Sequence, residues 1–416
     1  MEREVELEKA ADRARAAARR MAAAPRAAKD EALVRIAERL LDGRAAIEEA
    51  NEKDVVAARE QELSPAMIDR LGLRGARLDK LAEAVRFIAG LDDPVGEVVG
   101  MRRRPNGLLV GQQRIPLGVI AMIYESRPNV TVDAAALCMK SGNAVMLRGG
   151  KEARHSNRVL ADIVRAGLAD AGLPEDAVQF VPPLSRAQTE TLLGLSGKID
   201  LLIPRGGEGL IRFVTEHARV PVVQHYKGVC HLYVDEEADL EVAYRLLENG
   251  KLSRPGVCNA LEGLIVHEAQ AEAFFSKLAP LVEAGLEVRG DERTVSALAG
   301  SKPASDEDYA EEFLAPVISA RVVTSFDEAL DHIARYGSLH TEVICTTHYD
   351  RAQRFVREVD ASCVLVNASS RFNDGGMLGL GAEIGISTTK LHAYGPMGLT
   401  SLTSLKWVVH GEGQTR

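Results

Sequence analysis

The residues of this 416-residue chain that offer chemistry are one cysteine in an unusual setting, two Gly-Gly pairs beside cations, and a few arginines. Cys258 lies in LSRPGVCNALEGLIVH (252–267), between a Pro-Gly break and a run of strand formers. Packing is the ordinary role of an unpaired cysteine. Cys138 sits in an Ala/Leu helical pattern, and Cys230, Cys345 and Cys363 in strand-like runs, so all four read as packing. Cys258 instead follows Arg254-Pro255-Gly256, in a loop that rigid neighbours can hold. A nearby cation such as Arg254 favours thiolate, the form that attacks carbon. The sequence shows no evident histidine partner.

Two segments suit a dinucleotide. LRGGKEARHSN (147–157) ends a strand at Gly149-Gly150, with Arg148 and Lys151 beside them. IPRGGEGLIRFV (203–214) runs through Gly206-Gly207 into a helix, whose start offers free N–H groups and a positive dipole end to an anion. Neither matches GxGxxG, and each alone is equally an ordinary strand-to-helix turn.

The elements that must position these groups alternate. Residues 1 to about 92 read as helices; Leu33, Ile36, Ala37, Leu40 and Leu41 recur on one helical face, and Gly43 stops the run. A Pro-Asn-Gly turn inside EVVGMRRRPNGLLVGQQRIPLG predicts a hairpin that projects from the body. From residue 117, GVIAMIY, AVMLRG, AVQFV, DLLIP and VPVVQ are short apolar runs separated by helical stretches, the pattern of a doubly wound α/β domain. A second α/β stretch holds CHLYV, LEGLIVH, APVISARVV, HTEVICTT and SCVLVN. The Gly/Ser-rich stretch 367–398 reads as an ordered loop lining a site, and LTSLKWVVHGE as a last strand.

Composition closes off other classes. A formal charge of −9 and 4% aromatics argue against nucleic-acid binding. Five widely spaced cysteines without a CxxC pair suggest neither a disulfide framework nor a zinc site, so no metal is expected. No apolar run reaches the ~18 residues of a membrane span. Acidic residues at the amino terminus argue against a transit peptide, so a cytoplasmic protein is expected.

YESRPNVTVDAAALCMKSGNAVMLRGGKEA, PRGGEGLIRFV, RPGVCNALEG, EEFLAPVI and NASSRFNDGGMLGLGAEIGISTTKLHAYGPMGL resemble, in this order, the gamma-glutamyl phosphate reductases (glutamate-5-semialdehyde dehydrogenases) of the aldehyde dehydrogenase superfamily. The resemblance runs over nearly the whole chain. It implies an NADPH-binding Rossmann-like domain over 1–94 and 117–228, and an α/β catalytic domain over 229–398. A small β oligomerisation element over 95–116 and 399–416, and hence a homo-oligomer, completes the fold.

By position, the resemblance makes Cys258 the nucleophile and Asn129 the oxyanion-hole amide. It puts Arg148 at the adenosine ribose, Glu312 at the nicotinamide ribose, and Gly206 and Gly207 at the pyrophosphate, with Gly149, Gly150 and Lys151 alongside Arg148. Arg127 and Arg371 are the candidates for substrate phosphate and carboxylate. The implied activity is NADPH-dependent reduction of L-glutamyl 5-phosphate in L-proline biosynthesis, with functional coupling to glutamate 5-kinase. The segment RVPVVQHYKGVCHLYV (219–234) holds no acid where hydrolytic relatives keep a glutamate base, which fits reduction of a thioester better than its hydrolysis. An oxidative NAD-dependent or a coenzyme-A-acylating dehydrogenase of the same fold is the alternative, and a catalytically silent nucleotide-binding protein a further one. One departure stands out: the family more often has arginine where this chain has Tyr394.

Overall fold

The computed structural model describes residues 2–416 and divides them into two units. Unit 1 is Met1–Gln224 with Leu380–Gly385 and Met397–Arg416; unit 2 is His225–Gly379 with Ile386–Pro396. Residues 380–385 and 397–398 thus group with unit 1, although the sequence assigns them to the catalytic stretch.

Unit 1 opens with five helices: α1 (Glu2–Ala22), α2 (Arg26–Asp42), α3 (Arg44–Glu60), α4 (Pro65–Leu71) and α5 (Ala76–Gly90). Leu33, Ile36, Ala37 and Leu40 are buried along α2 as their spacing predicts, while Leu41 is half-exposed. The hairpin is present as β1 (Val98–Arg103) and β2 (Leu109–Pro116), antiparallel, with Gly107 at φ +88 in the turn. Then come β3 (Val119–Tyr124), α6 (Asn129–Lys140), β4 (Ala144–Arg148), α7 (Arg154–Asp170), β5 (Val178–Val181), α8 (Arg186–Leu193), β6 (Leu201–Arg205) and α9 (Glu208–His217). These strands form a parallel sheet ordered β5-β4-β3-β6, buried throughout β3 and through most of the others. The chain winds outward from β3 to β5, then returns to the other side of β3. Loops after β3 and β6 therefore diverge at the carboxyl edge, which opens a crevice there.

Close packing holds the helices on this sheet. A Cβ added at Gly167 of α7 would stand 2.4 Å from Ile36 Cγ1 of α2, so only glycine allows that approach. A capping box at Ser185 and Gln188 starts α8. The run VPVVQ does not become a strand: only an isolated bridge joins Val222 to Leu202. Pro221 has no N–H to extend a ladder, despite its β-branched neighbours.

Unit 2 is a second parallel sheet. Its elements are β7 (Cys230–Val234), α10 (Leu240–Leu247), β8 (Leu261–His267), α11 (Glu268–Glu283), β9 (Glu287–Gly290), α12 (Glu292–Ala297), β10 (Lys302–Pro303), β11 (Val317–Val323), α13 (Phe326–Tyr336), β12 (Thr341–Cys345), α14 (Tyr349–Glu358) and β13 (Cys363–Val366). The order is β10-β9-β11-β8-β7-β12-β13. Strands β9 and β10 are too short and polar to read from sequence. β7, β8 and β12 are wholly buried, and Phe274, Phe275 and Leu278 of α11 pack with them.

The Gly-rich stretch is ordered, with β14 (Gly385–Ser387) paired to β15 (Gly395–Met397). The last strand, β16 (Thr403–His410), runs antiparallel to β2 along its whole length and completes the sheet β1-β2-β16. Among the described residues no helix is long and apolar enough to cross a membrane.

Candidate active site

Three neighbouring strands of unit 2, in the order β8-β7-β12, are entered by the loops that carry the chemistry. Cys258 precedes β8, His225 and Gly228 precede β7, and His340 is the residue before β12. Their approach at one sheet edge brings the side-chain ligand atoms of His225, Cys258 and His340 within 4.8 Å of one another. Backbone closeness fixes the arrangement. A Cβ at Gly228 would lie 2.1 Å from the Cys258 carbonyl oxygen, so any side chain there must displace the loop. Cys230 Sγ donates to that carbonyl (3.3 Å), Ser370 Oγ donates to the Asn259 carbonyl (2.7 Å), and Asn259 Nδ2 donates to the Asn373 carbonyl (3.0 Å). The thiol's loop is held from both sides.

Two imidazoles beside this thiol correct the reading that no histidine partners it. His225 Nδ1 is 3.2 Å from the Ile386 carbonyl. A carbonyl only accepts, so Nδ1 carries a hydrogen. His340 is fully buried; desolvation, with His225 nearby, pushes its pKa down to about 3 and keeps it neutral. Its Nδ1 bonds Thr341 Oγ1 at 2.7 Å, and its Nε2 is buried with no hydrogen-bond partner among the described residues. Arg254 is exposed, where solvent screens its charge, so the imidazoles are better placed than this guanidinium to handle the thiol proton. The stretch 219–234 lacks an acid but does hold a base, His225, so the missing glutamate does not by itself fix the direction of reaction. A sequence signal existed: His225, Cys258 and His340 each lie one to five residues ahead of a buried apolar strand.

Of the four cysteines read as packing, Cys138, Cys230 and Cys345 are buried and Cys363 half-buried, and burial raises each pKa. Cys230 also touches the site, through its bond to Cys258 and a 3.6 Å contact with His340 Nδ1.

Beneath the loop, a π-helical turn at Glu248–Leu252 brings Lys251 to Glu262 (2.5 Å), both buried. Burial pushes Glu262 up to about 7 and Lys251 down. Glu312, half-buried, acts electrostatically on both. Arg371 is half-buried beside the Cys258 loop, where its backbone carbonyl faces Asn259 Nδ2. Tyr394 bonds Asp360 (3.3 Å), which also accepts from Lys390 (2.7 Å), so the position of the family's arginine belongs to an acidic partner here.

The remaining candidates stand at the carboxyl edge of the unit 1 sheet. Arg148 ends β4, with its Nε buried and without a hydrogen-bond partner among the described residues, and its charge is felt by Glu152 and Glu125. Gly149 and Gly150 follow it, buried, and Lys151 is exposed. Gly206 and Gly207 are exposed after β6, and Arg127 is exposed after β3. Asn129 opens α6 and donates Nδ2 to Asp133 (2.8 Å); burial raises Asp133 to about 6.

The start of α9 differs from expectation. The Gly207 N–H donates to Glu125 Oε2 (3.1 Å), so a carboxylate already caps the helix. Glu152 likewise accepts from the Ser126 N–H (2.6 Å). Pyrophosphate there must displace Glu125. The unpartnered Arg148 nitrogen and the open space at Gly207, where a Cβ would meet nothing within 4 Å, nevertheless fit a dinucleotide.

Comparisons with known proteins agree with this geometry. Residues 2–300 match the model of the "Aldehyde dehydrogenase family". The gamma-glutamyl phosphate reductase of Sorangium cellulosum is 66% identical over 409 residues, covering 97% of this chain and 96% of that protein. The one from Desulfatibacillum aliphaticivorans is 55% identical over 404 residues, 97% of each. The crystal structure of gamma-glutamyl phosphate reductase from Thermotoga maritima superposes with a TM-score of 0.97 at 43% identity, covering 99% of this chain and 100% of that one. A family match over residues 2–300, with sequence and fold shared over nearly the whole length, means that the chain belongs to the aldehyde dehydrogenase family and, within it, to the gamma-glutamyl phosphate reductases.

Proposed function

We propose that this chain reduces L-glutamyl 5-phosphate to L-glutamate 5-semialdehyde and phosphate in L-proline biosynthesis, with NADPH as donor and Cys258 as nucleophile. The observation that carries the mechanism is the His225–Cys258–His340 cluster; the substrate comes from the 66% identity to a named reductase.

The thiol of Cys258 gives its proton to His225 Nε2, and the sulfur attacks the acyl carbon. The resulting oxyanion is met by the amide of Asn129 and the N–H of Cys258, each such donor contributing about 3 kcal/mol in the transition state. The bond from carbon to the phosphate oxygen breaks, phosphate leaves, and a thioester remains on Cys258. Arg127 and Arg371 supply positive charge for the phosphate and carboxylate groups. A nicotinamide cofactor would supply the hydride; the carbon–sulfur bond then breaks, the aldehyde leaves, and the Cys258 thiolate can take its proton back from His225. Arg148, Gly149, Gly150, Lys151, Gly206, Gly207 and Glu312 are assigned to hold the cofactor. Arg148 and Lys151, with Arg154, favour the extra phosphate of NADPH.

The same proposal includes a homo-oligomer, a cytoplasmic setting and functional coupling to glutamate 5-kinase. Exposed Val98, Val99, Leu405, Trp407 (69% exposed) and Val409 on the sheet β1-β2-β16 support association of copies.

Run backward with glutamate semialdehyde, phosphate and NADP, the enzyme is expected to form reduced nicotinamide only when phosphate is present. Turnover independent of phosphate, or fast hydrolysis to free acid, overturns the acyl-phosphate assignment.

A further inference from the structure

We infer that His225, Cys258 and His340 form a binding site for a soft divalent cation such as Zn²⁺, which blocks the nucleophile reversibly. The inhibitory part rests on Cys258 being the nucleophile. One sulfur and two imidazole nitrogens are ligands this class of cation prefers, and three protein ligands leave a fourth position for water. Their ligand atoms already lie within 4.8 Å of one another. A tetrahedral zinc site with bonds of about 2.0–2.3 Å needs ligand atoms roughly 3.4–3.7 Å apart. Closure by about an ångström at the half-buried His225 and Cys258 suffices.

Two further observations point to a ligand. His340 Nε2 is fully buried without a hydrogen-bond partner, at a cost a bound cation would remove. Both rings are held in place by bonds to oxygen: His225 Nδ1 to the Ile386 carbonyl (3.2 Å) and His340 Nδ1 to Thr341 Oγ1 (2.7 Å). Metal-binding histidines are commonly oriented by such bonds. On binding, the S–H bond is replaced by a sulfur–zinc bond and the proton passes to solvent; nothing is oxidised or reduced.

The test uses the full chain, stripped of metal by a chelator and kept reduced, and titrated with Zn²⁺ or Co²⁺ alone. One equivalent per chain is expected, and Co²⁺ should give a sulfur-to-cobalt charge-transfer absorption in the near ultraviolet. Cys258→Ser should abolish that absorption and weaken Zn²⁺ at least 100-fold; His225→Gln and His340→Gln should each weaken it at least tenfold. Circular dichroism checks folding. His340→Gln alters a buried residue, and His225→Gln keeps the test decisive if that variant fails to fold. No cobalt–sulfur absorption, or Zn²⁺ affinity indifferent to Cys258→Ser or to His225→Gln, overturns the site. Binding without loss of the phosphate-dependent reaction overturns the inhibition. That reaction, measured in chelator, separates the two readings: its presence without metal binding sinks only the cation site, and its absence with metal binding intact sinks only the reductase assignment.

Discussion

The two parallel sheets put their functional residues at opposite edges. In unit 1 the candidates gather after the carboxyl ends of β3, β4 and β6, the usual ligand edge of a doubly wound sheet. In unit 2 the cluster of His225, Cys258 and His340 precedes the amino ends of β7, β8 and β12. The surroundings differ as much. The Cys258 loop is locked by backbone contacts at Gly228 and Asn259, whereas the glycine turns of unit 1 are lined by Glu125 and Glu152, which sit on amides that an anion would use. One edge is pre-organised for covalent chemistry; the other must exchange its own carboxylates for a ligand.

The largest effect should come from Cys258→Ser, with loss of phosphate-dependent turnover by more than about 10³-fold and an unchanged circular dichroism spectrum. Comparable loss from a change confined to the unit 1 turns, with cofactor saturating, would erase the contrast. His225→Gln is expected to lower kcat by roughly 10²-fold and to slow alkylation of Cys258 at neutral pH in parallel. Unaltered alkylation would remove His225 as the base. Gly228→Ala tests the locked loop: displacement of the Cys258 carbonyl by about an ångström should cost on the order of 10² in kcat, with KM for NADP little changed. An effect on KM alone would show that the loop tolerates movement.

Asp133 gives the contrast a pH dependence on the unit 1 side. Its pKa is raised from 3.8 to about 6, chiefly by burial, so between those values the folded chain keeps a proton that the unfolded chain has lost. Its contribution to stability therefore falls as pH rises from about 4 to 6 and stays low above that. Asp133→Asn should flatten the profile and add up to about 3 kcal/mol at pH 8, measured by urea unfolding. A stability difference between wild type and Asp133→Asn that does not change through that window contradicts this. The smallest effect expected is from Glu125→Gln, a fall of about threefold in KM for NADP as the carboxylate leaves the Gly207 amide. A higher KM would mean that Glu125 assists the cofactor.

Much of the fold was legible because buried parallel strands read as short apolar runs, as in GVIAMIY and LEGLIVH. VPVVQ shows the limit: composition suits a strand, but Pro221 cannot carry the ladder. Cys258 stood out through its Pro-Gly loop. His225 and His340 did not, because sheet order, not spacing, places β12 beside β7 and brings residue 340 to residue 258. Likewise the Gly207 amide read as open, since its partner Glu125 arrives from 82 residues earlier in the chain. Helix starts can be read locally; what fills them cannot.

The pairing of β2 with β16 has a consequence for synthesis. Arg114 and Thr403, which face each other's strands, are 289 residues apart. At about 5–20 residues per second, one edge of β2 waits on the order of tens of seconds on the ribosome before its partner emerges. Nascent chains of this protein should depend on a holding chaperone for that interval, since an open strand edge invites pairing with a neighbouring chain.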